Sequence, residues 1–255
     1  MQKALGIILI AGIAVYLAAC LGLFLVQRSL IYFPPPAAAL GGPALSTLDA
    51  PGARLQISER PLAGRQAVIY FGGNAEDVSA GLPSLALAFP EHALYLLHYR
   101  GFAGSSGKPD EAALVADALL LFDRVAARHP TIVLIGRSLG SGVAVQVASR
   151  RPVARLVLVT PFDSLQGLAA KQFPWFPISL LLKDKYESWR YAPGIKAPTL
   201  LLAAQQDEIV PAASTERLLR RFAPGVAALR VLPGVGHNSI ADSPAYLPAL
   251  EGRLD

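Results

Sequence analysis

In the stretch "GRSLGSG", Gly136 to Gly142, a serine stands between two glycines at the spacing G-x-S-x-G, behind the apolar run "TIVLI" and ahead of "VAVQVA". A serine hydroxyl is a weak nucleophile until a neighbouring base takes its proton and a third group orients that base. Composition alone yields about 0.1 chance matches to this pattern, so its surroundings must decide. A β-branched run, a Gly-x-Ser-x-Gly turn and a helical pattern, in that order, form the strand-turn-helix context of a nucleophile elbow. Ser138 then needs an unusual backbone conformation, and Gly136 and Gly140 give room for close chain approach.

Partners of the right type follow in the chain. Asp207 comes after "TLLLAAQQ" and His237 after "LRVLPGVG", each behind an expected strand. The order Ser, Asp, His is the one this architecture uses. His237 would take the proton of Ser138 and return it to the leaving group, and Asp207 would orient the imidazole and stabilise its cation. Asp163, in "TPFDS" behind "RLVLVT", is an alternative acid, or else a helix-start residue held by backbone N–H groups. His92, His98 and His129 precede the elbow and read as structural histidines. An oxyanion would be held by two backbone N–H groups, that of Leu139 and that of Asn74, beside Gly73 in "FGGNAED". "RGFAGSSG", Arg100 to Gly107, lacks the spacing of either common phosphate-binding motif and reads as a structural loop.

Something must bring these residues together. Short apolar runs recur at "AVIYF", "ALYLLHY", "TIVLI", "RLVLVT", "TLLLA" and "LRVL", as in strands buried on both faces. Helical patterns lie between them at Val78 to Phe89, Glu111 to Arg128, Ser141 to Arg150, Ser214 to Phe222 and after Ser243. In the second, Leu114, Ala118, Leu121 and Val125 form one apolar stripe. Alternating strands and helices imply a mainly parallel sheet covered on both faces, with ligands at the carboxyl ends of the strands. All three candidate triad residues fall at that edge. "FPWFPISLLL", Phe173 to Leu182, enters before the acid strand, either as a core-packed connection or as a lining of an acyl pocket that touches the membrane; Trp175 and Leu181 are its test positions.

The first residues differ in kind. Ala4 to Val26 carry no charge, and as a helix they would extend about 35 Å, enough to cross a bilayer core. Tyr32 and Phe33 suit an interface, and "FPPP" ends the helix. The expected organisation is a membrane anchor over residues 1–28 and a catalytic domain over 29–255, with the Pro/Gly/Ala-rich stretch from Pro34 to Gly52 between anchor and sheet. Lys3 favours a catalytic domain outside the cytoplasm. "LAAC", ending at Cys20, offers the alternative of a lipoprotein anchored there. With no triad residue in the anchor, a form lacking the first 28 residues is expected to keep activity on short esters.

A chain of 255 residues, 53% hydrophobic, suits one α/β domain plus this segment. The net charge of +5 comes from scattered Lys and Arg, which argues against a nucleic-acid partner. Cys20 is the only cysteine, so neither a disulfide framework nor a thiolate metal site is expected, and no cofactor is called for.

Taken together, "RSLIYFP", "YFGGNAED", "YRGFAGSSGKP", "GRSLGSGVA", "TPFDSL", "FPWFPISLLLKDKYES", "APTLLLAAQQDEIVP" and "GVGHN" resemble the membrane-anchored α/β-hydrolase family of serine hydrolases, which includes bacterial hydrolases, lysophospholipid lipases and depalmitoylating thioesterases. The resemblance runs from Ser29 to the C-terminus. It implies an α/β-hydrolase fold, with Ser138 matching the nucleophile, Asp207 the acid and His237 the base. It also implies an acyl ester, thioester or lipid substrate met at a membrane. The chain departs at Gly72, where such proteins often carry His before Gly-Asn, and at Ala204, where Gly is frequent. A serine peptidase using the same residues and a non-catalytic scaffold of the same fold are the alternatives.

Overall fold

The computed structural model describes residues 2–36 and 45–252. In chain order these form α1 (Gln2–Ile31), β1 (Leu45–Ala50), β2 (Ala53–Arg60), β3 (Gln66–Phe71), α2 (Leu82–Ala88), β4 (Ala93–Leu97), α3 (Glu111–Ala126), β5 (Thr131–Arg137), α4 (Leu139–Ala148) and β6 (Arg155–Val159). Then follow α5 (Leu165–Gln172), α6 (Ile178–Leu181), α7 (Ser188–Tyr191), β7 (Thr199–Ala204), α8 (Ala212–Leu219), β8 (Ala227–Leu232) and α9 (Tyr246–Glu251).

Eight strands make one sheet in the order β1-β2-β4-β3-β5-β6-β7-β8, and β3 to β8 run parallel. The six apolar runs of the sequence are these six parallel strands. Their side chains divide by strand alternation: Ile69, Leu134, Leu158 and Leu201 enter one core, and Val68, Val133, Val157 and Leu202 the other. The α3 stripe of Leu114, Ala118, Leu121 and Val125 lies in the first core, and Asp110 caps that helix by accepting from the Ala113 N–H at 2.8 Å.

Two strands precede the six expected ones, the first inside the Pro/Gly/Ala-rich stretch. Leu45–Ala50 is a strand, joined through Gly52 at φ +74° to β2 in an antiparallel hairpin. The hairpin extends the parallel sheet because β2 pairs antiparallel with β4. Residues 37–44 of that stretch lie outside the described residues. The Arg100 to Gly107 loop is tied to α3 and to the residue after β4. Arg100 forms an ion pair with Asp117 at 2.6 Å, and the Ser105 hydroxyl donates to the His98 carbonyl at 2.8 Å.

The apolar N-terminal helix has 30 residues and a mean hydropathy of 2.7 over its most apolar window, and it continues unbroken through the buried Cys20. It ends at Ile31, past the expected boundary at residue 28. Its C-terminal turns pack on the globular part. Gln27 Nε2 donates to the Leu181 carbonyl at 3.1 Å, and Gln27 Oε1 accepts from the Lys183 N–H at 2.7 Å. Arg28 pairs with the buried Asp184 at 3.0 Å, and the Tyr32 hydroxyl lies 2.9 Å from that of Tyr186.

Candidate active site

Strand β5 ends at Arg137 and α4 begins at Leu139, so Ser138 alone makes the turn. Its backbone sits at φ 49° and ψ −117°, a region that costs a non-glycine residue about 1–3 kcal/mol. The flanking glycines show what holds it there. A Cβ on Gly136 would stand 2.7 Å from the Ala144 Cβ and collide with the Gly140 carbonyl; one on Gly140 would enter the Phe71 carbonyl. Helix α4 therefore approaches the ends of β3 and β5 at backbone contact, and Ser138 is pushed out at the carboxyl edge.

The loops after β7 and β8 bring the partners in. His237 Nε2 lies 2.9 Å from Ser138 Oγ, and His237 Nδ1 lies 2.9 Å and 3.0 Å from the two oxygens of Asp207. A carboxylate only accepts, so the Nδ1 proton points at Asp207 and Nε2 of the neutral ring is left to accept from the serine hydroxyl. The His237 and Asp207 side chains are 4% and 6% exposed, which keeps this line of contacts out of bulk water. Asp207 is fixed in turn by the N–H groups of Ile209 and Val210, at 3.0 Å and 2.7 Å. Glu208, adjacent to Asp207 in the chain, accepts from the His237 N–H at 3.2 Å.

Asp163 stands elsewhere. Its carboxylate takes a fork of hydrogen bonds from Arg217, 2.7 Å and 3.0 Å, and another from the Ser214 hydroxyl. Burial alone would raise this carboxyl, but Arg217 and Ser214 outweigh it and hold Asp163 below the usual carboxylate range. Of the three histidines ahead of the elbow, His92 stands edge-on to Phe89 with its buried Nδ1 unpaired among the described residues, and the other two are hydrogen-bonded. His98 bonds Ser58 at 2.8 Å, and His129 bonds Tyr95 at 3.0 Å and the Gly64 carbonyl at 2.9 Å.

Leu139 and Asn74 both line the cavity at Ser138. Neither N–H has a protein acceptor among the described residues, that of Leu139 because it is the first of a helix. The neighbouring Gly73 N–H is already used, donating to Glu76 Oε2 at 2.7 Å. The same oxygen accepts from Arg137 at 2.9 Å, and Tyr70 donates to Glu76 Oε1 at 2.6 Å. Glu76 thus ties the "GGNAED" loop to the residue before the serine. Burial alone would lower the Arg137 guanidinium, and the Glu76 carboxylate more than compensates. The signal was there: an acid three residues beyond Gly73 can close the turn on that N–H. At Gly72 a Cβ would stand 2.5 Å from Val78 Cγ1, so a histidine there requires a different course for this loop.

The cavity measures about 560 Å³, within the roughly 300–1,000 Å³ typical of small-molecule sites. Its wall joins Ser138 and His237 to Phe162, Leu168, Ile178 and Leu181, and it includes Leu23, Gln27, Leu30 and Ile31 of the N-terminal helix. Nothing in the near-uniform apolarity of that helix marks these four positions as part of a site. "FPWFPISLLL" divides: Phe173, Ile178, Leu181 and Leu182 line the cavity, whereas Trp175 and Leu180 point outward, 85% and 81% exposed. Among the described residues no group of three His, Cys, Asp or Glu could hold a metal ion.

Residues 67–180 match the family profile described as the alpha/beta hydrolase fold. An uncharacterized protein of Mycobacterium tuberculosis is 36% identical over 250 residues, covering 89% of this chain and 87% of its own. The lysophosphatidylserine lipase ABHD12 of Xenopus tropicalis is 28% identical over 207 residues, covering 71% of this chain and 53% of its own length. Among solved structures, an esterase of Pyrococcus furiosus superposes with a TM-score of 0.69 at 16% identity, covering 88% of this chain and 96% of its own.

Proposed function

The chain belongs to the α/β-hydrolase family, and on that premise we propose that it is a serine hydrolase cleaving carboxylic ester or thioester bonds of acyl or lipid-like substrates. The observation that carries this reading is the unbroken line from Ser138 Oγ through His237 to Asp207, opening on an apolar cavity. The esterase and lipase among the similar proteins favour the same substrate class.

The chemistry follows from the positions. Ser138 Oγ attacks the carbonyl carbon as its proton passes to His237 Nε2, and Asp207 stabilises the imidazolium that results. The carbonyl oxygen, now anionic, is met by the free N–H groups of Leu139 and Asn74, which need no reorganisation at that moment. Nε2 returns the proton to the departing alcohol or thiol, leaving an acyl group on Ser138. Water then enters, His237 takes its proton, the hydroxide attacks the acyl carbon, and Ser138 is released with its hydroxyl restored.

In this reading α1 holds the enzyme at a membrane, residues 1–28 acting as a single-pass anchor and 29–255 as the catalytic domain. Its length of about 45 Å exceeds the roughly 30 Å hydrocarbon core. The test is a side-by-side assay of acyl esters, acyl thioesters and peptide amides with the intact protein in detergent. Esters or thioesters should turn over with amides negligible, and Ser138→Ala should lose about six orders of magnitude in turnover. Amides cleaved faster than esters, or wild-type turnover by Ser138→Ala, would reject the proposal.

A further inference from the structure

Four residues of the N-terminal helix, Leu23, Gln27, Leu30 and Ile31, line the same cavity as Ser138 and His237. They recur at helical spacing, which puts them on one stripe of α1. Leu21 and Leu25 lie off that stripe and are 57% and 71% exposed. Gln27 is the one strongly polar side chain in this stripe, and it is buried because both ends of its amide are used on Leu181 and Lys183. The helix is thereby fixed against the α5–α6 segment rather than lying loosely beside it. The Asn74 side chain also donates to the Ile31 carbonyl at 3.0 Å, and the Phe33 N–H donates to the Asn74 carbonyl at 3.2 Å. The end of the helix thus grips the loop that lines the cavity beside Ser138.

We infer that the membrane helix is part of the substrate site: its last turns form the acyl-binding wall, and the acyl chain of a bilayer-resident ester reaches Ser138 between α1 and the α5–α6 segment. This rests on the serine hydrolase reading and adds to it a specificity-determining element and a route of entry.

Depth decides the route. The Tyr16 hydroxyl donates to the Trp175 carbonyl at 3.0 Å, and its ring stacks on Phe176 at 6.0 Å. Only the turns before Tyr16 are free of the α5–α6 segment, and residues 2–15 as a helix extend about 21 Å, short of the roughly 30 Å hydrocarbon core. A helix that crosses the bilayer therefore draws the Trp175 end of that segment below the near surface, to a depth of about 9 Å by the same rise per residue. Tilting the helix deepens it. The outward-pointing Trp175 and Leu180 then face acyl chains rather than water, as their exposure requires. Lys183, whose ammonium lies 4.2 Å from the centre of the Phe24 ring, sits eight residues further along the helix, near the headgroups where a lysine is stable. The occupant of this face is the leaflet itself, and the ligand is one of its single acyl chains.

The experiment uses the full chain in lipid vesicles. For wild type, Leu23→Trp, Leu30→Trp and Leu25→Trp, it measures the ratio of kcat/KM for a decanoyl ester to that for a butyryl ester. Bulk placed on the cavity stripe should lower this ratio tenfold or more in the first two variants and leave it within twofold in Leu25→Trp. In parallel, a dansylated undecanoic acid is titrated into Ser138→Ala with and without Leu23→Trp. Binding should weaken at least tenfold in the double variant. Equal ester ratios in Leu23→Trp and Leu25→Trp, with fatty-acid affinity unchanged by Leu23→Trp, would overturn the wall. Fatty-acid binding that depends on Leu23 in a protein hydrolysing no ester would sink the hydrolase reading and leave the wall standing.

Discussion

Asp163 leaves the sheet behind β6 and Asp207 behind β7, so neighbouring parallel strands deliver two carboxylates to the same edge. Topology treats them alike, and their surroundings separate them. Asp163 is saturated by the Arg217 fork and Ser214, the arrangement of a carboxylate that ties one loop to a helix. Asp207 is anchored by two backbone N–H groups, which leaves the face toward His237 free for the imidazole. An acid at the right edge is thus only a candidate until its other partners are known. A guanidinium makes it structural, whereas backbone donors leave it available to a histidine.

The largest expected effect in this comparison is at Asp207. Asp207→Asn keeps the shape but presents an amide that can donate to Nδ1, favouring the tautomer whose Nε2 cannot accept from Ser138. Ester turnover should fall about four orders of magnitude with the fold unchanged by circular dichroism. A loss under tenfold would mean that another group orients His237.

The smaller effect belongs to Asp163, and it is in stability. Asp163→Asn should leave ester turnover within about threefold of wild type and lower unfolding stability by about 1–3 kcal/mol, because Arg217 loses its charged partner. Since the folded carboxyl is held below its ordinary value, its contribution is fully present above about pH 4. It is lost as pH falls through the folded value. Denaturant titrations of the two proteins should therefore differ at pH 6 and converge in strong acid. A turnover loss as large as that of Asp207→Asn would make Asp163 a second acid of the site.

The same contrast shows what the sequence could reveal. Strands β3 to β7 were legible because both faces are buried, which leaves unbroken apolar runs; β8, at the sheet edge with Val231 51% exposed, shows only a short one. The β1–β2 hairpin was not: Leu48, Leu55 and Ile57 are buried, but they alternate with polar residues around Pro51 and Gly52 in a stretch rich in Pro and Ala. The edge order of Ser138, Asp207 and His237 could be read from chain order and strand ends. The turn that Glu76 closes on Gly73 is local and legible, but its hold on Arg137, like that of Arg217 on Asp163, is not, because these contacts span 61 and 54 residues. Helix α5, with no buried residue, carries no burial pattern to read, although Leu165, Leu168, Ala169 and Gln172 line the cavity. The wall contributed by α1 was hidden for a further reason. Apolarity sufficient for a membrane helix masks which stripe packs on protein, and only Gln27 breaks the monotony.

The central claim is that Ser138 is activated by His237, and the most direct measurement is reaction of the intact protein with a fluorophosphonate, read by peptide mass spectrometry. The account predicts one phosphonyl group per chain, on Ser138, with labelling lost in Ser138→Ala and strongly slowed in His237→Ala. Phosphonylation at another residue, or labelling of Ser138→Ala at the wild-type rate, would contradict it.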